Sequence, residues 1–299
     1  MTGVAGFIGS NIAKRLHKEH ELYGFDDLST GSMDNLKGVD IEMIGSINEL
    51  QDSGAEIDII FHLGMPSSTP IYRNDRYQVL NAIKVTLDVL ELAKHLKERG
   101  KECMMVYASS SSVYNGNEPP FKEDMKIIVT DFMTEARLHI ERLAQLYSDF
   151  YGITAVGLRL FSVYGPNERR KGNFANLVTQ FLDWMHKGEQ PIIYGDGKQT
   201  RDFSYVKDVV DAFIQASKHG KTDVFNVGTG KCYNLNELVT LLNKILGKDI
   251  KPKYVVNPLK NYVNLTLADT TKAENVLGFK TKFSLEEGIK DYMAEEPPS

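Results

Sequence analysis

The chain has 299 residues, of which 42% are hydrophobic and 25% charged, a composition typical of a globular protein with ample material for a buried core. Its formal net charge of -5 disfavours a nucleic-acid partner, and its two cysteines, Cys103 and Cys232, suggest neither a disulfide framework nor a metal cluster. Because the sequence has no run of about 18 apolar residues and no basic-then-apolar leader, we expect no membrane insertion and no export, and a cytoplasmic location.

Short apolar runs alternate with amphipathic stretches through the first half of the chain, as in βαβ units that build a parallel sheet. Strands are predicted there over residues 21–26, 41–44, 57–63, 102–109 and 154–160, and helices over residues 10–19, 77–99 and 131–151. After Pro166 the pattern loosens, and helices are predicted over residues 173–187, 205–218, 235–246 and 285–293. We therefore predict an α/β fold with a doubly wound parallel sheet and a smaller C-terminal α+β unit.

A glycine-rich turn stands at the start of the chain. Gly3, Gly6 and Gly9 lead directly into the first predicted helix, so backbone N–H groups and the positive helix end can face a pyrophosphate. Asp26 ends the next predicted strand, where a carboxylate can accept a hydrogen bond from a ribose 2′-OH and repels a 2′-phosphate. Together these features predict a dinucleotide site that prefers NAD to NADP. The alternative is a glycine-rich surface turn beside a solvated carboxylate.

The strand that should present this turn is missing from the sequence. Only Met1 and Thr2 precede Gly3, whereas a dinucleotide turn follows a strand of about five residues. That strand would lie centrally in the sheet, and its absence would leave a gap of roughly 9 to 10 Å between its neighbours. We therefore expect that the sequence starts a few residues downstream of the natural one.

Further motifs follow in an order typical of one protein family. Residues 26–31 read DDLSTG, residues 109–114 read SSSSVY, residues 158–166 read LRLFSVYGP and residues 195–203 read GDGKQTRDF. With the opening turn, this ordered set resembles the extended short-chain dehydrogenase/reductases, in their NAD-dependent nucleotide-sugar epimerase and dehydratase branch. The resemblance covers essentially the whole chain. It implies a Rossmann-like NAD-binding domain over residues 1–165, to which the segment 203–230 returns, and a nucleotide-sugar-binding domain over residues 166–299.

The resemblance assigns NAD to the N-terminal half of the chain. It implies contacts from the glycine turn, from the acidic loop after the second strand of the family's sheet, from two later strand ends and from one helical arginine. The implied cofactor-binding residues are Gly3, Gly6, Phe7, Ile8, Gly9, Asp26, Asp27, Ser29, Thr30, Gly31, Ser46, Ile47, Leu63 and Arg137.

The resemblance also implies a catalytic hydroxyl, a tyrosine and a lysine. In the family, hydride transfer to NAD oxidises the sugar, usually at C4, and a Ser or Thr with a Tyr-x-x-x-Lys pair handles the proton. Ser110 matches the hydroxyl, but the Tyr and Lys positions fall on Met133 and Arg137. Met133 has no ionisable proton, whereas Arg137 can still bond the nicotinamide ribose and place a positive charge beside it. Cofactor binding can survive this change, but the usual proton transfer cannot.

For the substrate, the resemblance implies a UDP-sugar in the cleft between the two domains. The implied substrate-binding residues, among which Arg201 is the diphosphate clamp, are Ser110, Ser162, Asn173, Phe174, Gln199, Arg201 and Lys260. The resemblance also implies a homodimer through a four-helix bundle made by the helices over residues 77–99 and 131–151.

Three activities remain open because of Met133 and Arg137. The favoured one is 4-epimerase-type chemistry on UDP-glucose and UDP-galactose or their N-acetyl counterparts, with a substitute base such as Ser110 with a bound water or a carboxylate from residues 121–135. The second is a dehydratase; Ser111 and Ser112 stand where 4,6-dehydratases carry acids, which disfavours that reaction but leaves a 5,6-type reaction open. The third is a pseudoenzyme that binds NAD and a UDP-sugar without turnover.

Overall fold

The computed structural model describes residues 1–258 and 262–298, apart from the side chain of residue 52. Its helices are α1 (Phe7–Leu16), α2 (Glu49–Asp52), α3 (Thr69–Asn74), α4 (Gln78–Glu98), α5 (Phe132–Tyr151), α6 (Leu177–His186), α7 (Val206–Ala216), α8 (Leu235–Leu246) and α9 (Leu285–Glu295). Its strands are β1 (Tyr23–Gly24), β2 (Glu42–Met43), β3 (Ile59–His62), β4 (Met104–Ser110), β5 (Thr154–Leu160), β6 (Val163–Tyr164), β7 (Ile192–Tyr194), β8 (Thr200–Arg201), β9 (Ser204–Tyr205), β10 (Asp223–Val227), β11 (Tyr233–Asn234) and β12 (Lys253–Val255).

The central sheet is parallel throughout its described pairings. Strands β10, β5, β4 and β3 lie side by side in that order, and β1 pairs with β2. The start of the chain runs between β1 and β3, where Thr2 forms parallel bridges to both Phe25 and His62. The spatial order is therefore β2, β1, the N-terminal residues, β3, β4, β5 and β10. This order confirms the predicted doubly wound sheet.

Residues 1–3 occupy the central position of this sheet. The Thr2 N–H donates to the Phe61 carbonyl at 2.9 Å, and the Gly3 N–H donates to the Phe25 carbonyl at 2.8 Å. Beside Met1 lies a cavity of about 450 Å³, which is lined by residues at and before β1 and β3.

Helices cover both faces of the sheet. On one face α4 packs against α5, and Leu92 and Ile140 are buried there with the β4 side chain of Met105. On the other face α1 packs against α7, and Ile12 and Phe213 are buried with the other side of the sheet. The five central residues of β4 and of β5 are buried, as expected for parallel strands enclosed on both sides.

The C-terminal half adds a second group of helices and short strand pairs. Helices α6, α8 and α9 enclose a separate apolar cluster, and the two-stranded pairs β6–β9, β7–β12 and β8–β11 lie around it. Between these elements the chain contributes β10 to the edge of the central sheet beside β5. Asn234 and Ser284 begin α8 and α9 with capping boxes, which satisfy the first backbone N–H groups of each helix.

Two predicted helix starts differ from the structure for local reasons. Helix α1 begins at Phe7 rather than at residue 10, because Gly6 already serves as its N-cap. Helix α6 begins at Leu177 rather than at residue 173, because Gly172 has a φ of 53° and breaks the helical path. The Asn176 side chain then caps α6 by accepting from the Val178 N–H at 2.9 Å.

Among the described residues, no helix is long and apolar enough to span a bilayer.

Candidate active site

A cavity of about 590 Å³ opens at the carboxyl ends of β3, β4 and β5 and extends to the segment before α6. The sequence-predicted residues that line it are Gly3, Gly6, Phe7, Ile8, Gly9, Asp26, Asp27, Ser29, Thr30, Ser46, Ile47, Leu63, Ser110, Met133, Arg137, Ser162 and Phe174. Four other predicted residues, Gly31, Asn173, Gln199 and Arg201, lie outside this lining, and Lys260 lies outside the described residues. Predicted cofactor and substrate residues thus share one cavity.

The glycine turn is tightly packed and lines the cavity. Gly3 has a φ of +66°, and a Cβ there would lie 2.6 Å from the Leu63 carbonyl group. A Cβ at Gly9 would lie 2.1 Å from the Gly3 oxygen, so the turn closes only without side chains. Helix α1 starts directly behind it, and its N-cap, Gly6, has no side chain to cover the first N–H groups. Those N–H groups can therefore meet an anion.

The Asp26 carboxylate ties the turn to the loop that follows β1. One oxygen accepts from the Ala5 N–H and the other from the Leu28 N–H, both at 2.8 Å. Desolvation raises the pKa of Asp26, although these hydrogen bonds oppose the shift. A Cβ at Gly31 would lie 2.9 Å from the carboxylate, so that glycine permits the loop to approach Asp26. Gly31 thus lies beside the carboxylate.

Two serines at strand ends line the middle of the cavity. The Ser110 Oγ accepts from the Ser112 N–H at 3.1 Å and begins a short 3-10 turn. This bond uses an oxygen lone pair and leaves the Ser110 hydroxyl proton available to a ligand. Ser162 follows β5 with a φ of 32°, an uncommon conformation for a residue with a side chain. Such strained backbone often accompanies a functional position.

Met133 and Arg137 lie one turn apart on α5 and both line the cavity. The Met133 sulfur accepts from the Thr69 hydroxyl at 3.6 Å. Arg137 is 3% exposed and donates to the Ala108 and Pro66 carbonyls, but its Nε has no hydrogen-bond partner. No carboxylate of the described residues lies within 4 Å of this guanidinium, so its charge is uncompensated at the cavity wall.

The Arg137 charge also acts on a buried histidine behind the wall. Burial, assisted by the nearby guanidinium, lowers the pKa of His62 to about 3. The ring is held between the Thr2 and Thr86 hydroxyls at 2.7 and 2.9 Å. His62 is therefore neutral near pH 7 and lies outside the cavity lining, so it supplies no proton acceptor there.

The carboxylates suggested as substitute bases lie elsewhere. Asp131 caps α5 by accepting from the Thr134 N–H at 2.9 Å, and Glu135 pairs with His139 at 3.1 Å. The described cavity lining contains none of the four acids in question, which are Glu123, Asp124, Asp131 and Glu135. The sequence suggested two kinds of substitute base. Ser110 lines the described cavity, whereas none of these carboxylates does.

Four charged residues that the sequence analysis did not select also line the cavity: Lys84, Asp88, Glu168 and Lys171. Lys84 forms an ion pair with Asp88 at 2.7 Å. Glu168 is 2% exposed and accepts from the Asn176 N–H at 2.9 Å and from the Thr179 hydroxyl at 2.6 Å. The Lys171 Nζ lies 3.6 Å from a Glu168 oxygen and 4.5 Å from the centre of the Phe7 ring. The sequence signal that could have identified this pair is an acidic and a basic residue three positions apart, just after the motif that ends at Pro166.

The predicted diphosphate clamp has a different environment. Arg201 donates to the Thr200 carbonyl at 2.7 Å, and its guanidinium carbon lies 5.3 Å from the centre of the Tyr262 ring. The neighbouring Gln199 donates to the Tyr194 carbonyl at 2.7 Å. Both side chains therefore bond within the C-terminal half in this conformation.

Comparison with known proteins gives a consistent family match. The model of the NAD dependent epimerase/dehydratase family matches residues 1–228. The UDP-glucuronate 4-epimerase of Thermodesulfobacterium geofontis is 31% identical, with 97% of this chain and 93% of the relative covered. The UDP-glucose 4-epimerase of Mycolicibacterium smegmatis is 30% identical, with coverages of 97% and 95%. Among solved structures, the UDP-glucose 4-epimerase of Thermotoga maritima, determined with UDP-glucose, has a TM-score of 0.90 at 31% identity, with 98% of this chain and 97% of that chain covered.

Proposed function

The chain belongs to the NAD-dependent epimerase/dehydratase family, and we propose that it is a UDP-sugar 4-epimerase-type enzyme with a non-standard proton acceptor. The observation that carries the proposal is the shared cavity, which the glycine turn, Ser110 and Arg137 all line. Relatives named as 4-epimerases of UDP-glucose and UDP-glucuronate support a UDP-sugar as the substrate class. We propose UDP-glucose and UDP-galactose, or their N-acetyl counterparts, as the substrates.

The turn and the acidic loop are the proposed holders of NAD. Gly3, Gly6 and Gly9 would face the pyrophosphate, and Asp26, which lines the same cavity, would accept a hydrogen bond from a ribose hydroxyl. Bound NAD would supply the acceptor and donor for reversible hydride transfer at C4 of the sugar. Arg137 would face the nicotinamide side of the cofactor and bring a positive charge to this part of the cavity.

The remaining chemistry is the removal of the proton from the C4 hydroxyl. We propose that the remaining lone pair of the Ser110 Oγ accepts the C4 hydroxyl proton while the Ser110 hydroxyl passes its own proton to a bound water and on to solvent, because the Ser112 N–H uses only one lone pair. The uncompensated charge of Arg137 would stabilise negative charge developing on the sugar oxygen. A neutral serine is a weaker base than a deprotonated tyrosine, so slow turnover is expected.

The competing proposal is a pseudoenzyme. Met133 has no ionisable proton, and the described cavity lining contains no carboxylate from residues 121–135. A chain of this kind would bind NAD and a UDP-sugar and leave both unchanged.

Domain arrangement and assembly are proposed on the same basis. We propose that residues 1–165, with the segment 203–230, bind NAD and that residues 166–299 bind the nucleotide sugar, since β10 pairs with β5 and α7 packs on α1. We also propose a homodimer through α4 and α5, because these adjacent helices expose large apolar side chains at Leu80, Leu146 and Phe150.

The function is tested by incubating the purified protein with NAD and either UDP-glucose or UDP-N-acetylglucosamine. We expect proton NMR to show slow formation of the C4 epimer. Calorimetric binding of the UDP-sugar without any product would support the pseudoenzyme instead. Exchange of the C5 proton into solvent deuterium, with loss of water from the sugar, would point to a dehydratase.

A further inference from the structure

We propose that Asp202 is a positioning residue, which anchors the short strand β8 to the central sheet and thereby sets where Arg201 stands. The inference rests on the proposed function, in which a UDP-sugar binds, and on Arg201 as the cation for its diphosphate, as the resemblance implies. Asp202 is fully buried behind β8, so it acts through Arg201 rather than on a ligand.

The Asp202 carboxylate accepts four hydrogen bonds, and each oxygen takes two of them. One oxygen accepts from the Thr229 N–H at 2.8 Å and from the Thr229 hydroxyl at 2.6 Å. The other accepts from the Gly230 and Ala268 N–H groups, both at 3.1 Å. Burial raises the pKa of Asp202, and these bonds oppose that shift. Because a buried carboxylate is costly without such donors, the carboxylate and the backbone that carries them stay together.

The two segments that Asp202 holds belong to different parts of the fold. Residues 229–230 follow β10, which pairs with β5 at the edge of the central sheet. Ala268 lies in the C-terminal part of the chain. A Cβ at Gly228 would lie 2.6 Å from the Ala268 Cβ and 2.9 Å from the Asp202 carboxylate, so this glycine permits the close approach. Asp202 thus ties β8 to the sheet in which β4 ends at Ser110.

Strand β8 is too short to hold its own position. It consists of Thr200 and Arg201, which pair with the two residues of β11, while the segment 264–266 bonds to its other side. Successive side chains of an extended strand point to opposite sides. Arg201 contacts Tyr262, whereas Asp202 contacts the segment after β10. The bonds of Asp202 therefore fix the backbone from which the Arg201 side chain extends.

This anchor matters for the geometry of a bound diphosphate. The Arg201 guanidinium donates to the Thr200 carbonyl at 2.7 Å and lies outside the described cavity lining, so it reaches a ligand by turning its side chain. A guanidinium binds phosphate oxygens well only when its fork of donors is correctly aimed. If β8 moved, the same side chain would start from another place, and its paired bonds would be lost. The NAD half of the cavity would be unaffected.

The test is a double-mutant cycle of Asp202→Asn and Arg201→Met, measured by titration calorimetry with UDP and with NAD. The asparagine keeps the shape of the side chain, but its NH2 group would face backbone N–H donors and release the anchor. Asp202→Asn should weaken UDP binding about tenfold and change NAD affinity less than about twofold. In the Arg201→Met background it should change UDP affinity less than about twofold, because the residue through which Asp202 acts is then missing.

The matched control is Asp208→Asn. Asp208 is equally buried, and its carboxylate accepts from the Lys282 and Phe283 N–H groups, just before α9. This variant should lower the melting temperature as Asp202→Asn does, without changing UDP affinity. If Asp202→Asn does not fold, Thr229→Val takes its place in the cycle. It removes a single hydroxyl bond to the carboxylate and should weaken UDP binding about threefold.

The outcomes separate this inference from the proposed function. UDP binding that depends jointly on Asp202 and Arg201, without turnover of UDP-glucose, would support the positioning role and contradict the proposed function. Equal UDP losses with and without Arg201, an equal loss in Asp208→Asn, or a loss of NAD affinity as large as that of UDP would overturn the inference. Unchanged UDP affinity in folded Asp202→Asn or in Arg201→Met, or no UDP binding to the unaltered protein, would overturn it as well.

Discussion

Replacing Met133 by tyrosine together with Arg137 by lysine is expected to raise 4-epimerase turnover by about 100- to 10,000-fold, the usual contribution of a positioned acid–base group. Met133 already lines the cavity, one helical turn before Arg137, so a tyrosine hydroxyl there would reach the same space. A lysine at position 137 would place a compact positive charge nearby and lower the pKa of the new phenol. The kcat for conversion of UDP-glucose to UDP-galactose, followed by NMR, measures the effect.

The matched control is the double variant of Met133→Phe with Arg137→Lys. It introduces the same ring and the same lysine but no phenolic hydroxyl, so its turnover should stay close to that of the unaltered protein. The single variant Met133→Tyr should gain part of the increase, because Arg137 is also a cation. If tyrosine and phenylalanine variants turned over equally, the missing hydroxyl would not be what limits this site.

Replacing Gly9 by alanine is expected to abolish measurable NAD binding and to lower the unfolding free energy by about 2 kcal/mol or more. The added Cβ would lie 2.1 Å from the Gly3 oxygen and 2.9 Å from the Val4 Cα, so backbone on the opposite side of the turn would have to move. The turn that faces the pyrophosphate would then open. Calorimetry with NAD and thermal melting in its absence measure the two effects.

The control for this prediction is Gly6→Ala. Its Cβ would meet only the Gly3 oxygen, at 3.2 Å, so the melting temperature without NAD should change little. Gly6 nevertheless lines the cavity, and its variant can lose NAD affinity without losing stability. A Gly9→Ala protein that melted normally and bound NAD within tenfold of the unaltered affinity would contradict the role given to the turn.

The fold was largely predictable because its elements are locally encoded. The long helices α4 and α5 and the buried strands β4 and β5 carry strong periodic patterns, and their bounds differ from the predicted ones by no more than two residues. The strand β10 was not among the predicted strands, because its five residues gain their place from pairing with β5, which lies about 70 residues earlier in the chain.

The candidate site was predictable only where a motif carries the geometry. The glycine turn, Asp26 and Ser110 stand in ordered motifs, and the structure brings them to one cavity. Lys171 stands in no such motif, and its position depends on Phe7, a contact across more than 160 residues of chain. Arg201 stands in a motif but does not line the described cavity. Its side chain contacts Thr200 and Tyr262 in the absence of a ligand.

We propose that this cavity oxidises and restores the sugar at C4 although position 133 carries no base. The most direct measurement uses UDP-glucose labelled with deuterium at C4, incubated with the unaltered protein and NAD in ordinary water. We expect slow formation of UDP-galactose that retains the deuterium at C4, read by NMR and mass spectrometry. Product that carries a solvent proton at C4, or a bound UDP-sugar that never forms product, would contradict it.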